Sequence, residues 1–398
     1  MSIEKAIQLK PGREKSVINR HPWIFSGAVM KVFGEPKCGD LVYIKTSTGQ
    51  PLGVAAYSPD SNIRARMWSW DPEACIDRKY FKNAIKEAVS IRSMYIEETE
   101  TNAIRLIHGE SDGLPGLVVD RYADTLIVQL LSCGAEYWKE VIVEELILVT
   151  EIENVYERSD ATVRHIEGLP LRKGVIKGDP PTKDLVIYEN GLKFLIDPID
   201  GQKTGFFIDQ RHNRLLLRKF SKDRKVLDCF CYTGGFTVNA IAGNAKQIVA
   251  IDSSQEALEM CRKNVQLNGL DEERVEWKDA DVFESMRKLR DRNQKFDLLI
   301  LDPPKFAPNY KQVQKASRAY KDINLLAFKL LNPGGILFTF SCSGGVNEDL
   351  FQKIVYGAAL DANVNARIIN KLNQGLDHPI ALNFPEGNYL KGLICSVN

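Results

Sequence analysis

From residue 225 to residue 340, short apolar runs alternate with longer amphipathic stretches, and nothing else in the chain limits its fold as tightly. Lys225–Asp228, Gln247–Ile251, Arg274–Lys278, Phe296–Leu301 and Gly335–Phe340 read as strands. Gly235–Ala242, Gln255–Asn268 and Tyr310–Leu331 read as helices. Such alternation demands an α/β fold, a parallel sheet with helices on both faces. Ligands of these sheets bind at the carboxyl ends of the strands, near the switch point. What ends each strand is therefore the informative question.

The first run leads into Asp228-Cys229-Phe230-Cys231-Tyr232-Thr233-Gly234-Gly235. The glycines let a ligand approach the backbone and open a helix N-terminus. The second run ends in Asp252, 24 positions after Asp228 and near the offset of a ribose-binding carboxylate. Ser253 and Glu256 fit a capping box for the following helix. The third run is followed by Asp279-Ala280-Asp281, the fourth by Asp302-Pro303-Pro304-Lys305-Phe306. A dinucleotide would bring a pyrophosphate, which Asp228 would repel, and the G-x-G-x-x-G loop is missing. The ammonium and sulfonium of S-adenosylmethionine would be attracted, so Asp228 with Asp252 favours that cofactor. A single strand-end acid is ordinarily a cap or a solvated group; the ordered set of four is far more specific.

The fifth run leads into Ser341-Cys342-Ser343-Gly344-Gly345, which puts a thiol at the same rim. Methylation of oxygen or nitrogen needs no covalent catalyst. Carbon-5 of a pyrimidine is a poor nucleophile until a thiolate adds at carbon-6 and makes an enamine, so a rim cysteine suits carbon methylation. The plain alternative is that Cys342 is a small buried apolar residue. Asp302 is the expected partner for the N3 edge and exocyclic amine of cytosine.

The rest of the chain divides by charge. Residues 1–72 carry net +4, residues 73–185 net −7 and residues 186–398 net +4, within a total of +1 over 398 residues. These steps coincide with breaks in pattern, and three domains are expected. The first reads as a small β-barrel from Asp40–Thr46, Leu52–Tyr57 and Ile63–Trp68. The second opens with a helix marked by Phe81, Ile85, Ala88, Val89 and Met94, and holds a strand near 125–131 and a helix near 135–149. Leu169–Lys183 looks like a linker, and Glu189-Asn190-Gly191 like a hairpin turn.

A near-zero net charge excludes a polybasic chain held to nucleic acid by charge alone. No run of 18 apolar residues is present and the start has no apolar signal core, so a cytoplasmic protein without a membrane span is expected. Eight irregularly spaced cysteines suggest reduced thiols. Cys229-x-Cys231 lacks a second pair at zinc spacing, so no metal is expected.

The strand ends resemble those of class I S-adenosylmethionine-dependent methyltransferases. That likeness implies a seven-stranded sheet with Asp228, Phe230, Thr233, Gly234 and Gly235 around the methionine part of S-adenosylmethionine. Asp252 would then bind the ribose and Asp281 the adenine edge. Gly201–Arg211, with Thr204, Phe206 and Asp209, looks like a cofactor motif preceding the sheet; the alternative is a glycine turn running into a helix.

Over essentially the whole chain the sequence resembles the bacterial 23S ribosomal RNA cytosine-5 methyltransferases of the large-subunit methyltransferase I type. Arg20–Gly27, Asp112–Leu117, Asp120-Arg121-Tyr122 and Thr339–Ser343 carry this likeness beside the motifs above. It implies an N-terminal PUA-like β-barrel for RNA, a central α/β domain and the methyltransferase domain, often as a homodimer. Cys342 and Asp302 would be catalytic, and Arg20, His21, Arg64, Arg66 and Lys305 would meet 23S rRNA. Trp23 and Phe25 are expected in the barrel core. Many RNA cytosine-5 methyltransferases carry a second Cys where this chain has Pro304-Lys305, which leaves Asp302, Lys305 or a water as the base for the carbon-5 proton. Two other readings stay open: methylation of a guanine nitrogen with Cys342 structural, and a non-catalytic RNA-binding assembly factor.

Overall fold

The computed structural model describes residues 5–306 and 312–398. The chain forms two compact units: Met1–Ile187 with Asp197–Ile208 and Leu376–Gly387, and Tyr188–Ile196 with Asp209–Gly375 and Asn388–Asn398.

The first unit holds two sheets. Six short strands form one, in the order Trp23–Phe25, Ile63–Ser69, Pro51–Tyr57, Leu41–Lys45, Ala6–Leu9, Val29–Phe33. The barrel core is Ile7, Leu9, Val42, Ile44, Ala55, Ala65 and Met67. The other sheet has five strands, with Asn154–Ser159 next to its edge strand Arg172–Lys177. That edge strand lies in the stretch expected to be a linker. Its Arg and Lys residues suit an exposed edge, because charge discourages further pairing, and they mask the strand signal. The helix Arg78–Tyr95 packs Phe81, Ile85 and Ala88 inward as its periodicity requires, while Met94 is exposed. Val54, Ala56 and Trp68 of the six-stranded sheet share one apolar cluster with Phe81 and Ile107. That shared cluster is why the first two charge segments pack as one unit.

Cys38 and Cys133, 95 residues apart with Cα atoms 5.3 Å apart, are joined as a disulfide. This corrects the expectation of eight reduced thiols; six remain free.

The second unit contains the expected parallel sheet. Its strands are β1 (Lys225–Cys229), β2 (Gln247–Asp252), β3 (Val275–Asp279), β4 (Phe296–Leu301), β5 (Leu331–Ser341), β6 (Ala366–Leu372) and β7 (Lys391–Val397). They lie in the order β3-β2-β1-β4-β5-β7-β6. The first five pair in parallel, and β7 is antiparallel to both neighbours. The helices are α1 (Arg211–Phe220), α2 (Gly235–Ala242), α3 (Gln255–Leu267), α4 (Val282–Asp291), α5 (Val313–Leu330) and α6 (Glu348–Asp361). The expected helix start at Tyr310 lies outside the described residues. Leu227, Val249, Leu299 and Leu337 of four parallel strands are fully or almost fully buried against α4, α5 and α6. Asn190 and Gly191 both have left-handed φ, as a type I′ hairpin turn requires. The second hairpin strand is held by α3, with Asn264 Oδ1 accepting from Leu195 N at 2.6 Å. Ser254 caps α3, one residue beyond the expected Ser253.

Candidate functional site

Strand register brings the carboxylates to one rim. Asp228 lies beside Ile300 of β4, and Cys229 pairs with Ile251 on one side and Leu301 on the other. Asp252 and Asp302 therefore end their strands just past Asp228. Asp228 is fully buried at the end of β1, with one oxygen accepting from Thr237 Oγ1 at 2.6 Å. Its other oxygen has no hydrogen-bond partner among the described residues. Burial lifts the Asp228 carboxyl to about 7, with Asp302 and Asp252 pushing the same way against the Thr237 hydrogen bond. A buried acid with an orphaned oxygen and two acidic neighbours is a receptor for a cation.

The loop after β1 is shaped to let that cation in. Phe230, Tyr232 and Gly234 all have left-handed φ, so the backbone folds tightly over the strand end. Tyr232 N donates to Asp252 Oδ2 at 2.9 Å, tying the loop to β2. Asp252 Oδ1 accepts from Ser254 N at 3.0 Å. Thr233 is nearly buried with its hydroxyl unpartnered among the described residues, and Asn264 Nδ2 donates to its carbonyl at 2.9 Å. Gly234 has φ +87°, and a Cβ there would sit 2.1 Å from Cys261 Sγ. Gly235 opens α2, where a Cβ would lie 3.0 Å from Arg214 Cδ. Gly234→Ala should cost about 2–4 kcal/mol by combining backbone strain with overpacking. Urea unfolding followed by circular dichroism measures it, and a change under 0.5 kcal/mol would show that the loop is not fixed here.

The thiol lies on the same rim. Cys342 follows β5, is half-buried, and its Sγ lies 3.9 Å from the carbonyl oxygen of Pro303. Gln210 Nε2 donates to Asp302 Oδ2 at 3.0 Å, which steadies the Asp302-Pro303 turn. The Tyr320 hydroxyl of α5 is 3.0 Å from Ser343 Oγ and fixes the far side of the Cys342 turn. Burial raises that hydroxyl to about 12, so it stays a neutral hydrogen-bonding anchor. Asp281 is exposed and caps α4 by accepting from Glu284 N at 2.8 Å. Asp209 is buried, accepting from the Tyr389 hydroxyl at 2.6 Å. Lys305 is exposed on the turn after β4.

Thr204 and Phe206 fold with the other unit. Thr204 Oγ1 donates to Asp120 Oδ2 at 2.5 Å and lies 2.9 Å from the Tyr122 hydroxyl. The Phe206 side chain is also buried. The Thr204 side chain is thus committed to Asp120 and Tyr122 of the first unit, which departs from its expected place in the cofactor motif, while Phe206 is tied to Tyr122 through its backbone carbonyl. Gln210 falls within the Gly201–Arg211 motif without a role of its own there, and Tyr320 and Lys391 carry no sequence signal. Each reaches the rim from an element distant in the chain, and no local pattern marks them.

The candidate RNA residues separate into two groups. Arg20 is exposed, and His21 and Arg64 are half-buried. Trp23 N donates to His21 Nδ1 at 3.1 Å, so Nε2 carries the proton and faces Glu386 at 3.2 Å. Trp23 is partly buried against Phe384, with Nε1 donating to Glu110 at 2.7 Å. Phe25, expected in the core, is 49% exposed. Arg66 is the correction: it is 6% exposed and its guanidinium pairs with buried Glu167 at 2.9 Å. Arg66→Ala should destabilise the first unit by about 3–5 kcal/mol through an unpaired buried carboxylate. Thermal unfolding would reveal it, whereas an RNA-contact role would leave stability unchanged. Among the described residues no cluster of His, Cys, Asp and Glu could hold a metal, and no helix is long and apolar enough to cross a membrane.

Comparison with known proteins agrees with the fold. Residues 172–373 match the family described as S-adenosylmethionine-dependent methyltransferase, and residues 7–70 match a PUA-like domain. A protein of Erwinia tasmaniensis named ribosomal RNA large subunit methyltransferase I is 47% identical over 389 residues, 98% of each chain. One of the same name from Aeromonas hydrophila is 49% identical over 98% of this chain and 99% of its own. A solved chain from Streptococcus mutans described as a SAM-dependent methyltransferase superposes with TM-score 0.85 at 20% identity, covering 98% of this chain and all of its own. A solved methyltransferase complexed with SAH gives TM-score 0.86 at 20% identity, with the same coverage. The PUA-like domain and the seven-stranded methyltransferase fold are both present, and S-adenosylmethionine is the cofactor. The chain belongs to the ribosomal RNA large subunit methyltransferase I family of S-adenosylmethionine-dependent methyltransferases.

Proposed function

We propose that this chain methylates carbon-5 of a cytosine in 23S ribosomal RNA, with Cys342 as a covalent nucleophile. The observation that carries the proposal is the Cys342 thiol at the rim, accessible and 3.9 Å from the Asp302-Pro303 turn, on the same edge as Asp228 and Asp252.

S-adenosylmethionine supplies an electrophilic methyl group when bound. Asp228 and Asp252 are the residues suited to its ammonium and ribose, and Phe230, Thr233, Gly234 and Gly235 to close backbone approach. Asp209, held beside Tyr389, and Asp281, the cap of α4, flank the proposed cofactor pocket. Cys342 Sγ adds to carbon-6 of the pyrimidine, and the electrons of the 5,6 double bond move to carbon-5, which takes the methyl group. Transfer of the carbon-5 proton to Asp302, Lys305 or a water expels the sulfur as thiolate and restores the ring. Asp302, steadied by Gln210, accepts from the exocyclic amine and orients the base. A base inside a stacked helix cannot reach this rim, so the nucleotide is flipped out or unpaired, at a cost of a few kcal/mol.

The barrel of residues 1–72 is the RNA module in this reading, with exposed Arg20 and half-buried His21 and Arg64 as its contacts and Lys305 nearer the thiol's turn. Half-exposed Phe25 offers a stacking surface. Nucleoside mass spectrometry of 23S rRNA methylated in vitro tests the proposal. It expects 5-methylcytidine as the product, and a methylated guanosine would overturn it.

A further inference from the structure

We propose that Lys391 is a positioning residue that holds the Cys342 thiolate beside a buried ammonium. The inference rests on the nucleophilic reading of Cys342. Antiparallel register sets Lys391 of β7 opposite Ser341, the residue before the thiol. Lys391 Nζ donates to the carbonyl of Ser343 at 2.9 Å and to that of Tyr389 at 2.8 Å. The side chain thus grips the turn from the residue after the thiol while its own backbone aligns the residue before it. Lys391 is only 3% exposed, and no carboxylate among the described residues is within ion-pair distance of it. A buried ammonium with carbonyl partners alone is poorly compensated. An anion on Cys342 compensates it.

The charged and titratable neighbours point the same way. Burial lowers Lys391 to about 8, and Cys342 is the strongest of the charges that favour its protonated form. Lys305, on the turn after β4, opposes it, and Glu348 of α6 favours it. Asn388 Nδ2 donates to Glu348 at 2.9 Å. Lys371 of β6 shares a small cavity with Lys391 and Glu348. Tyr320 of α5 is a neutral hydrogen-bonding group beside the turn, and Tyr389 ahead of β7 donates its hydroxyl to Asp209. In the balanced step Cys342 gives its proton to solvent, Lys391 keeps all three of its protons, and no bond forms between them. The arrangement weakens above about pH 8, as Lys391 itself loses its charge.

The test is iodoacetamide alkylation of Cys342 in the intact protein from pH 5.5 to 9.5, quantified by peptide mass spectrometry. Exposed Cys75 serves as the reference thiol in the same sample. Lys391→Met should slow Cys342 alkylation at pH 7 by roughly tenfold and move the profile upward by about one pH unit, the usual effect of removing one nearby opposite charge. Lys391→Gln, which keeps a donor for the carbonyls without the charge, should match it. Lys391→Arg should stay within about threefold of wild type, since it restores the charge. Cys75 should not change. If Lys391→Gln leaves the Cys342 profile on the wild-type curve, Lys391 is purely structural and the inference falls. Methyl transfer by Cys342→Ala is measured separately: retained transfer removes the nucleophilic reading, whatever the alkylation profiles show.

Discussion

Replacing Cys342 with alanine should lower methyl transfer to 23S rRNA by more than about a thousandfold while the affinity for S-adenosylmethionine stays within about twofold, because the thiol acts only on the base. The separation follows from the site. The proposed cofactor site is built from Asp228, Asp252 and the glycine loop at the ends of β1 and β2. The thiol stands at the end of β5, with β4 between. Removing a half-buried sulfur creates no large cavity, so the variant should fold normally. Tritium transfer from the methyl donor and calorimetric titration of the cofactor measure the two quantities on one preparation. A variant that kept a tenth of wild-type transfer would mean that nitrogen or oxygen is the acceptor.

Asp228→Asn should weaken binding of S-adenosylhomocysteine by roughly a hundredfold, the loss expected when one member of a buried charge pair is removed. Here pH gives a sharper signature than magnitude. The wild-type carboxyl stands near 7 when folded, against 3.8 as its ordinary value. Between those values the folded chain holds a proton that the unfolded chain has released. The free protein therefore loses stability as pH rises from about 4 to about 7, by an amount on the order of a few kcal/mol. A cationic ligand requires the ionised form, so its binding should release a proton and tighten from pH 6 to pH 8. In the Asn variant both trends should flatten. Thermal unfolding without ligand and calorimetry in two buffers of different ionisation enthalpy read them out. Equal pH dependence in wild type and variant would remove Asp228 from the receptor.

The rim was legible in the sequence because a parallel sheet makes strand ends converge. Once Asp228, Asp252 and Asp302 were assigned to strand ends, hydrogen-bond register alone brought them together, and Cys342 arrived by the same rule on β5. What was not legible came from outside that alternation. Lys391 sits on an antiparallel strand some 50 residues beyond the thiol, and Gln210 precedes the sheet altogether. Thr204 has a residue type that would suit a ligand site, yet its hydroxyl is taken up by Asp120 and Tyr122 in the first unit. Arg66 shows the same ambiguity in a strand: alternation gives the face of a side chain, not whether a buried Glu167 waits there. The Cys38–Cys133 pairing joins the loop before the strand Leu41–Lys45 to the helix Cys133–Tyr137, 95 residues on, and leaves no spacing signal. The Arg172–Lys177 edge strand was hidden by the charges that protect it.

The proposed chemistry turns on a transient bond between Cys342 and the pyrimidine ring. The most direct measurement uses 23S rRNA transcribed with 5-fluorocytidine, incubated with the protein and S-adenosylmethionine, and run on a denaturing gel. Fluorine at carbon-5 cannot leave as a proton does, so the sulfur cannot be expelled. The account predicts a protein–RNA adduct that survives denaturation, maps to the peptide containing Cys342, and is absent with Cys342→Ala. An enzyme that methylates ordinary 23S rRNA, yet gives no adduct with the fluorinated RNA, would contradict it.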